Sequence, residues 1–375
     1  MNLLEVLGIS SKEDVISNLL RYCLEVSPTF CKVFLDSICG ICSSDLNKAR
    51  AFTRISTDSS GIPDLVIAAE SSRQRHLVIL ENKLKANEGD DQTVRYSSAE
   101  CVREVKNRIG WSGIPVTETF VFLTLFPDQE PGAQVFRRVT YEDLLKAAPA
   151  FEAVEDSLAH LLLEAWVSLL KRFYSKGSVS PEDFLLTKLQ ETDPLEGNFL
   201  YFKSFVETLS LSRNLTVEQT FRSSAQGRRF FGAIISKDSW HPAEMQELSE
   251  KYELDGRKHF NIHFEPQFHY LKGVMELYVH YEVNPYQTAE WVKTHVRAEQ
   301  LAAYTNVREQ FVNELRKKSG SDLLIGGRTN QIAKARLALQ KATVSGASEE
   351  ISAIINRVAL NIDQLRDDPM GVFAS

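Results

Sequence analysis

Two short apolar runs, each bordered by an acid, constrain this chain more than any other feature. Leu65-Val66-Ile67 and Leu77-Val78-Ile79-Leu80 flank the polar stretch Ser71-Ser72-Arg73-Gln74-Arg75, the pattern of two strands joined by a tight turn. A third run follows at Phe120-Val121-Phe122-Leu123-Thr124-Leu125. All three are apolar on both faces, which predicts central strands covered by helices on each side. Asp64 precedes the first run and Glu81 follows the second. A turn centred between Ser72 and Arg73 sets Asp64 opposite Glu81, with Cα atoms about 4.5–5.5 Å apart. Lys83, two residues past Glu81, leaves the same face of its strand.

Two acids and a lysine at the rim of an apolar sheet are costly unless they are paired or ligating. A hard cation answers that cost, because Mg2+ takes oxygen ligands and commonly one or two protein carboxylates. Asp64, Glu81 and the backbone carbonyl of Asn82 are the expected metal ligands, with Mn2+ able to substitute for Mg2+. Such an ion lowers the pKa of a bound water and steadies charge on a phosphodiester. Lys83 would orient the water or neutralise the transition state.

The surrounding pattern predicts an α/β core. Serines, Glu13 and Asp14 mark a helix start near Ser11, with Ser10 and Glu13 spaced as a capping box, and the helix is expected to run to the Ser27-Pro28 break. A second helix is expected from Phe30 to about Ile38, ending near Gly40. Asp90-Asp91 is placed to cap a helix from Gln92 to Ile109, closed by Gly110. A short strand over Val135 to Val139 then leads to a capping box at Thr140 and Asp143. Asp156 to Tyr174 reads as an apolar helix, and Ser175-Lys176-Gly177-Ser178 as a linker, dividing the chain into domains 1–175 and 176–375. The second domain reads as α+β: a helix from Asn198 to Leu209, a strand from Arg229 to Ile235, a hairpin from Phe260 to Val283 across Lys272-Gly273, and helices over Ala289 to Lys318, Gln331 to Ala342 and Glu349 to Leu365.

Ile62-Pro63-Asp64 followed by Leu77-Val78-Ile79-Leu80-Glu81-Asn82-Lys83 resembles the motif of the PD-(D/E)xK nuclease superfamily, home of many restriction enzymes and recombination nucleases. Gln92 and Tyr96 repeat the Gln-x-x-x-Tyr pattern of RecB-type members, where that helix face meets the substrate backbone. Glu13 falls where many members place an extra metal-binding acid. The resemblance covers residues from about 10 to 145 and is strongest toward a largely uncharacterised prokaryotic group, several of them linked to defence against phage. It implies a restriction-endonuclease-like mixed sheet flanked by helices. It also implies a Mg2+-dependent nuclease acting on nucleic acid, DNA foremost, with Asp64, Glu81, Lys83 and Glu13 as catalytic residues and Gln92 and Tyr96 as substrate-binding residues. The second domain would then serve target selection, homodimerisation or partner binding. The rival reading is a catalytically weak member of the fold that binds nucleic acid or a partner without cutting.

Composition narrows the remaining classes. The 375 residues, 43% hydrophobic and 25% charged, suit a soluble protein with one large or two smaller cores. The opening MNLLEVLGISSKED lacks the features of a secretory signal and no apolar run reaches membrane-spanning length, so no membrane partner and a cytoplasmic location are expected. A formal charge of −7 argues against coating nucleic acid with the whole surface but leaves room for a local groove. The five cysteines read as buried thiols rather than a zinc knuckle at Cys39-Gly-Ile-Cys42. His259, His263, His269 and His280 sit with Glu265, Glu276 and Glu282 in or beside the second-domain hairpin. There, alternation with apolar residues predicts a half-solvated strand rather than a metal site.

Overall fold

The computed structural model describes residues 3–7, 9, 12–58, 60–72, 74–84, 91–126, 129–147, 156–190, 195–212, 214–223, 229–240, 262–281, 294, 298–320, 323–325 and 331–366. Ser10, Ser11, Asp90, His259, Phe260, Glu282 and Val283 lie outside them, as do residues 289–293 at the start of one expected helix. The chain separates into two compact units, Met1–Ser175 and Lys176–Ser375.

The first unit opens with a one-turn helix α1 (Leu3–Val6), then α2 (Glu13–Val26) and α3 (Pro28–Phe34), which runs on as a π-helical turn to Cys39. Gly40 ends it in the left-handed region, at φ 68°. Five strands follow: β1 (Leu46–Phe52), β2 (Leu65–Ser71), β3 (Arg75–Lys83), β4 (Thr117–Thr124) and β5 (Phe136–Thr140). They lie in sequence order in one sheet, with β1, β2 and β3 antiparallel and β3, β4 and β5 parallel. Between β3 and β4 come α4 (Gln92–Tyr96) and α5 (Ala99–Arg108), and after β5 come α6 (Tyr141–Ala147) and α7 (Ser157–Gly177).

Helices cover both faces, as the apolar strands require. Val66, Ala68, Leu77, Ile79 and Phe122 form one buried cluster with Val102 and Val105 of α5, while α2 packs against β1, β2 and β3. The mixed sheet with helical flanks is a restriction-endonuclease-like fold. Four of the five cysteines are buried, and burial pushes the Cys23 thiol up to about 12.

One strand was not expected, and two local expectations change. The strand β1 carries Lys48 and Arg50 and only scattered apolar residues, so no periodicity announces it; as an edge strand it needs one buried face at most. The helix expected over Gln92 to Ile109 is two helices, because Ser98 starts a new one: its Oγ accepts the Cys101 N–H at 3.1 Å. Asp91 sits left-handed at φ 48° and makes no side-chain cap. The expected linker is still helical through Gly177, where a Cβ would lie 2.2 Å from Leu200 Cδ2, so the close approach requires glycine.

The second unit contains α8 (Leu185–Gln190), α9 (Leu195–Glu207), β6 (Thr216–Ser223), β7 (Phe230–Ser236), β8 (Ile262–His269), β9 (Val274–Tyr281), α10 (Ala298–Ser319), β10 (Leu323–Ile325), β11 (Gln331–Ala335) and α11 (Val344–Arg366). Its sheet order is β10-β11-β9-β8-β7-β6, antiparallel throughout. The residues from Gln331 are a strand rather than the expected helix. Their Gln, Ala and Lys favour helix locally, but pairing with β10 and β9 and burial of Ile332 and Ala333 override that preference. The hairpin turns at Gly273, φ 66°, as expected. Its first strand is not half-solvated, however: Ile262 to Phe268 are all buried. No described helix is long and apolar enough to cross a membrane.

Ser98→Ala should lower the stability of the first unit by about 1 kcal/mol, the usual cost of an N-cap, whereas Asp91→Ala should cost much less. Urea unfolding of the two variants followed by tryptophan fluorescence checks the contrast.

Candidate active site

The pairing of β2 with β3 positions the acids. Leu65 pairs with Leu80 at the end of the ladder, with Val66 opposite Ile79 and Ile67 opposite Val78, so the next position places Asp64 beside Glu81. Asp64 Oδ2 accepts the Asn82 backbone N–H at 2.8 Å. Alternation puts Asp64 on the face of Val66 and Ala68, and Glu81 and Lys83 on the face of Leu77 and Ile79, which is the face covered by α5.

The approach to Asp64 is held from α4. Tyr96, only 2% exposed, donates its hydroxyl to the Ile62 carbonyl at 3.0 Å. Gly61 just before it has φ +99°, and a Cβ there would meet the Tyr96 hydroxyl at 3.5 Å, so glycine is the residue that permits this turn. Lys83 Nζ lies 2.6 Å from Glu81 Oε1 and donates to Gln92 Oε1 at 3.0 Å. The Gln92 side chain also hydrogen-bonds Tyr96. Gln92 and Tyr96 thus meet the motif residues directly, Gln92 half-buried and Tyr96 fully so.

Glu13 arrives from a different element. The residue capping α2 is Lys12, which makes no side-chain cap, and the Glu13 carboxylate accepts the Leu84 backbone N–H at 2.9 Å, just past the end of β3. The helix is fixed to the strand through Asn82, whose side chain is fully buried. Its Nδ2 donates to the Glu13 carbonyl at 3.2 Å and to Ser17 Oγ at 3.0 Å, and its Oδ1 accepts the Tyr141 hydroxyl at 2.6 Å. Tyr141 in turn packs edge-on against Trp166, ring centres 5.4 Å apart. Asn82 therefore ties α2, β3 and α6 together directly beneath the acids.

Charge is crowded here. Burial and the neighbouring Asp64 carboxylate push the Glu81 carboxyl up to about 8, against the pull of Lys83. Burial also raises Asp64, opposed by the Asn82 N–H and Lys83 and reinforced by Glu13. Burial pulls the Lys83 ammonium down, but Glu81, Glu13 and Asp64 outweigh it and hold it above its ordinary value. Glu81 Oε2 is buried and has no hydrogen-bond donor among the described residues. Glu81, Glu13 and Asp64 thus all act on one ammonium, with a buried Glu81 oxygen left over. An all-oxygen, electron-rich set of this kind fits a hard divalent cation.

A restriction-endonuclease-like sheet with paired carboxylates and a lysine at the end of its central hairpin defines a class of nuclease folds. Residues 1–147 match the family model of the PD-(D/E)XK nuclease superfamily. No curated protein and no solved structure matches the chain.

Asp64, Glu81, Lys83, Glu13, Gln92 and Tyr96 come together in one place. Sequence reasoning missed the supports beneath them: the Asn82 side chain, Ser17 and Tyr141. Nothing local marks Tyr141, which meets Asn82 across 59 positions. By contrast, the 3.6-residue spacing of α2 already placed Ser17 one turn from Glu13.

Two outcomes follow for the metal-free protein. Tyr141→Phe leaves Asn82 Oδ1 without its buried donor and should cost about 1–3 kcal/mol in urea unfolding. Because the folded state holds the Glu81 proton more tightly than the unfolded chain, the stability linked to it is present below pH 4.5 and is lost as pH rises toward 8. Glu81→Gln should therefore gain stability relative to the parent across that window, read as melting temperatures in chelator at a series of pH values.

Proposed function

We propose that this chain is a Mg2+-dependent nuclease that hydrolyses phosphodiester bonds in nucleic acid, with DNA as the substrate. The pairing of Asp64 with Glu81 at the end of the β2–β3 ladder, with Glu81 Oε2 lacking a donor among the described residues, carries this reading. Asp64, Glu81 and the Asn82 backbone carbonyl would hold Mg2+ or Mn2+, and Glu13 would add a further carboxylate. The bound ion would supply Lewis acidity toward a phosphate oxygen and lower the pKa of water. The chain's own residues do the rest. Lys83, held between Glu81 and Gln92, keeps an ammonium where negative charge builds on the scissile phosphate. Gln92 and Tyr96 fix Lys83 and the Ile62–Asp64 approach and, with Gln92 half-buried at the edge, form the face toward the substrate backbone. Burial of the acids makes cation binding compete with protons, so metal affinity rises as Glu81 loses its proton toward pH 8.

Defence against phage is the setting the family resemblance supports, and the second unit is assigned target selection, dimerisation or partner binding on the same ground.

Purified full-length protein should cut DNA in Mg2+ or Mn2+ and lose cutting in chelator. Asp64→Ala and Lys83→Ala should each reduce the rate by on the order of 100-fold or more without changing the melting transition of the second unit. Gel assays on supercoiled, linear and single-stranded DNA and on RNA provide the check; metal-independent cutting, or full activity in both variants, overturns the assignment.

A further inference from the structure

The second unit contains an ionisable cluster that the nuclease reading does not use. One face of its sheet packs on helices through Phe231, Ile235, Phe264, Leu277 and Val279. The alternate residues of β8 and β9 therefore point the other way, and His263, Glu265 and His280 gather there. His263 and His280 are direct cross-strand partners, with rings stacked 4.9 Å apart. Glu265 Oε2 lies 3.3 Å from His280 Nε2 and 3.8 Å from His263 Nε2. One donor atom from each of the three residues lies within 4.8 Å of the others. His263 is 1% and Glu265 7% exposed, while the His280 side chain keeps 15% exposure and leaves a way in.

We propose that His263, Glu265 and His280 form a binding site for a divalent transition-metal ion of the Zn2+ type. Tetrahedral bonds of about 2.0–2.1 Å place donor atoms about 3.4 Å apart. Both carboxylate–imidazole separations are already near that value, so rotation of the two rings completes the set. Two imidazole nitrogens and one carboxylate oxygen favour Zn2+ and its neighbours over Mg2+, which separates this site chemically from the all-oxygen cluster of the first unit. The Gln267 amide donates to Glu265 Oε1 at 2.7 Å and leaves Oε2 toward the two imidazoles. Gln267 also orients the carboxylate from behind, the role that outer hydrogen bonds play around metal ligands. The ion would link the two central strands of the second sheet, whose sequence spacing across the Gly273 turn brings the ligands face to face.

The test uses the full-length protein carrying both Asp64→Asn and Glu81→Gln, which removes two of the first unit's three carboxylates and leaves the second unit's ligands unchanged. Titrated with Zn2+, this chain should bind one ion and melt at a higher temperature, and His263→Gln or His280→Gln added to it should weaken binding by on the order of 100-fold. X-ray absorption of the Zn2+-loaded chain needs no histidine variant and should show two imidazoles and a carboxylate oxygen. Failure to bind Zn2+, binding indifferent to both histidine substitutions, or a metal shell without imidazole would each overturn the proposal.

Discussion

The first unit is organised around two carboxylates forced to be neighbours, Glu81 buried and Asp64 half-buried. The ladder from Leu65–Leu80 to Glu70–Arg75 leaves no choice about what comes next: Asp64 lies against Glu81 at the end of strands packed on both faces. Burial raises both carboxyls first, and like-charge repulsion adds to it, from Asp64 at Glu81 and from Glu13 at Asp64. Lys83 at 2.6 Å from Glu81 relieves only part of the repulsion, since one ammonium faces three acids. Such a site is poised to take up positive charge.

The support is as specific as the cluster. Asn82 lies between the two charged residues of β3 but points to the opposite face, where it bonds α2 through Ser17 and the Glu13 carbonyl and α6 through Tyr141. The same bonds that anchor α2 bring the Glu13 carboxylate to the Leu84 N–H. A buried polar side chain with its donors and acceptors satisfied fixes one geometry among many that a purely apolar contact would allow. Precision of this kind suits a site whose function depends on placing oxygen atoms around one point.

Much of this was legible from residues alone, because the central strands are apolar without interruption and the turn between them is short. Hairpin pairing is local, so the register of Asp64 and Glu81 follows from the turn position. The capping box at Thr140 and Asp143 was legible for the same reason, and it forms, with Asp143 Oδ2 accepting the Thr140 N–H at 3.0 Å. What escaped depends on distant partners. The strand β1 has no apolar rhythm because it is an edge, and β11 has helix-favouring residues that only its neighbours hold extended. The charged face of β8 reads as solvated from alternation, yet it is buried, because burial of a sheet's second face is decided by the remainder of the chain. Glu13 shows the ambiguity most clearly: a first-turn acid has a sufficient local explanation as a cap, and the fold shows its carboxylate on the Leu84 N–H just past β3, near the motif residues that the family resemblance sets beside it.

The most direct measurement of the central claim is the anomalous scattering of a crystal of the full-length protein soaked in Mn2+. The account predicts a peak bridged by the Asp64 and Glu81 carboxylates, with Lys83 beside it. Clear density for both side chains with no ion between them at saturating Mn2+, or carboxylates turned away from each other, would contradict it.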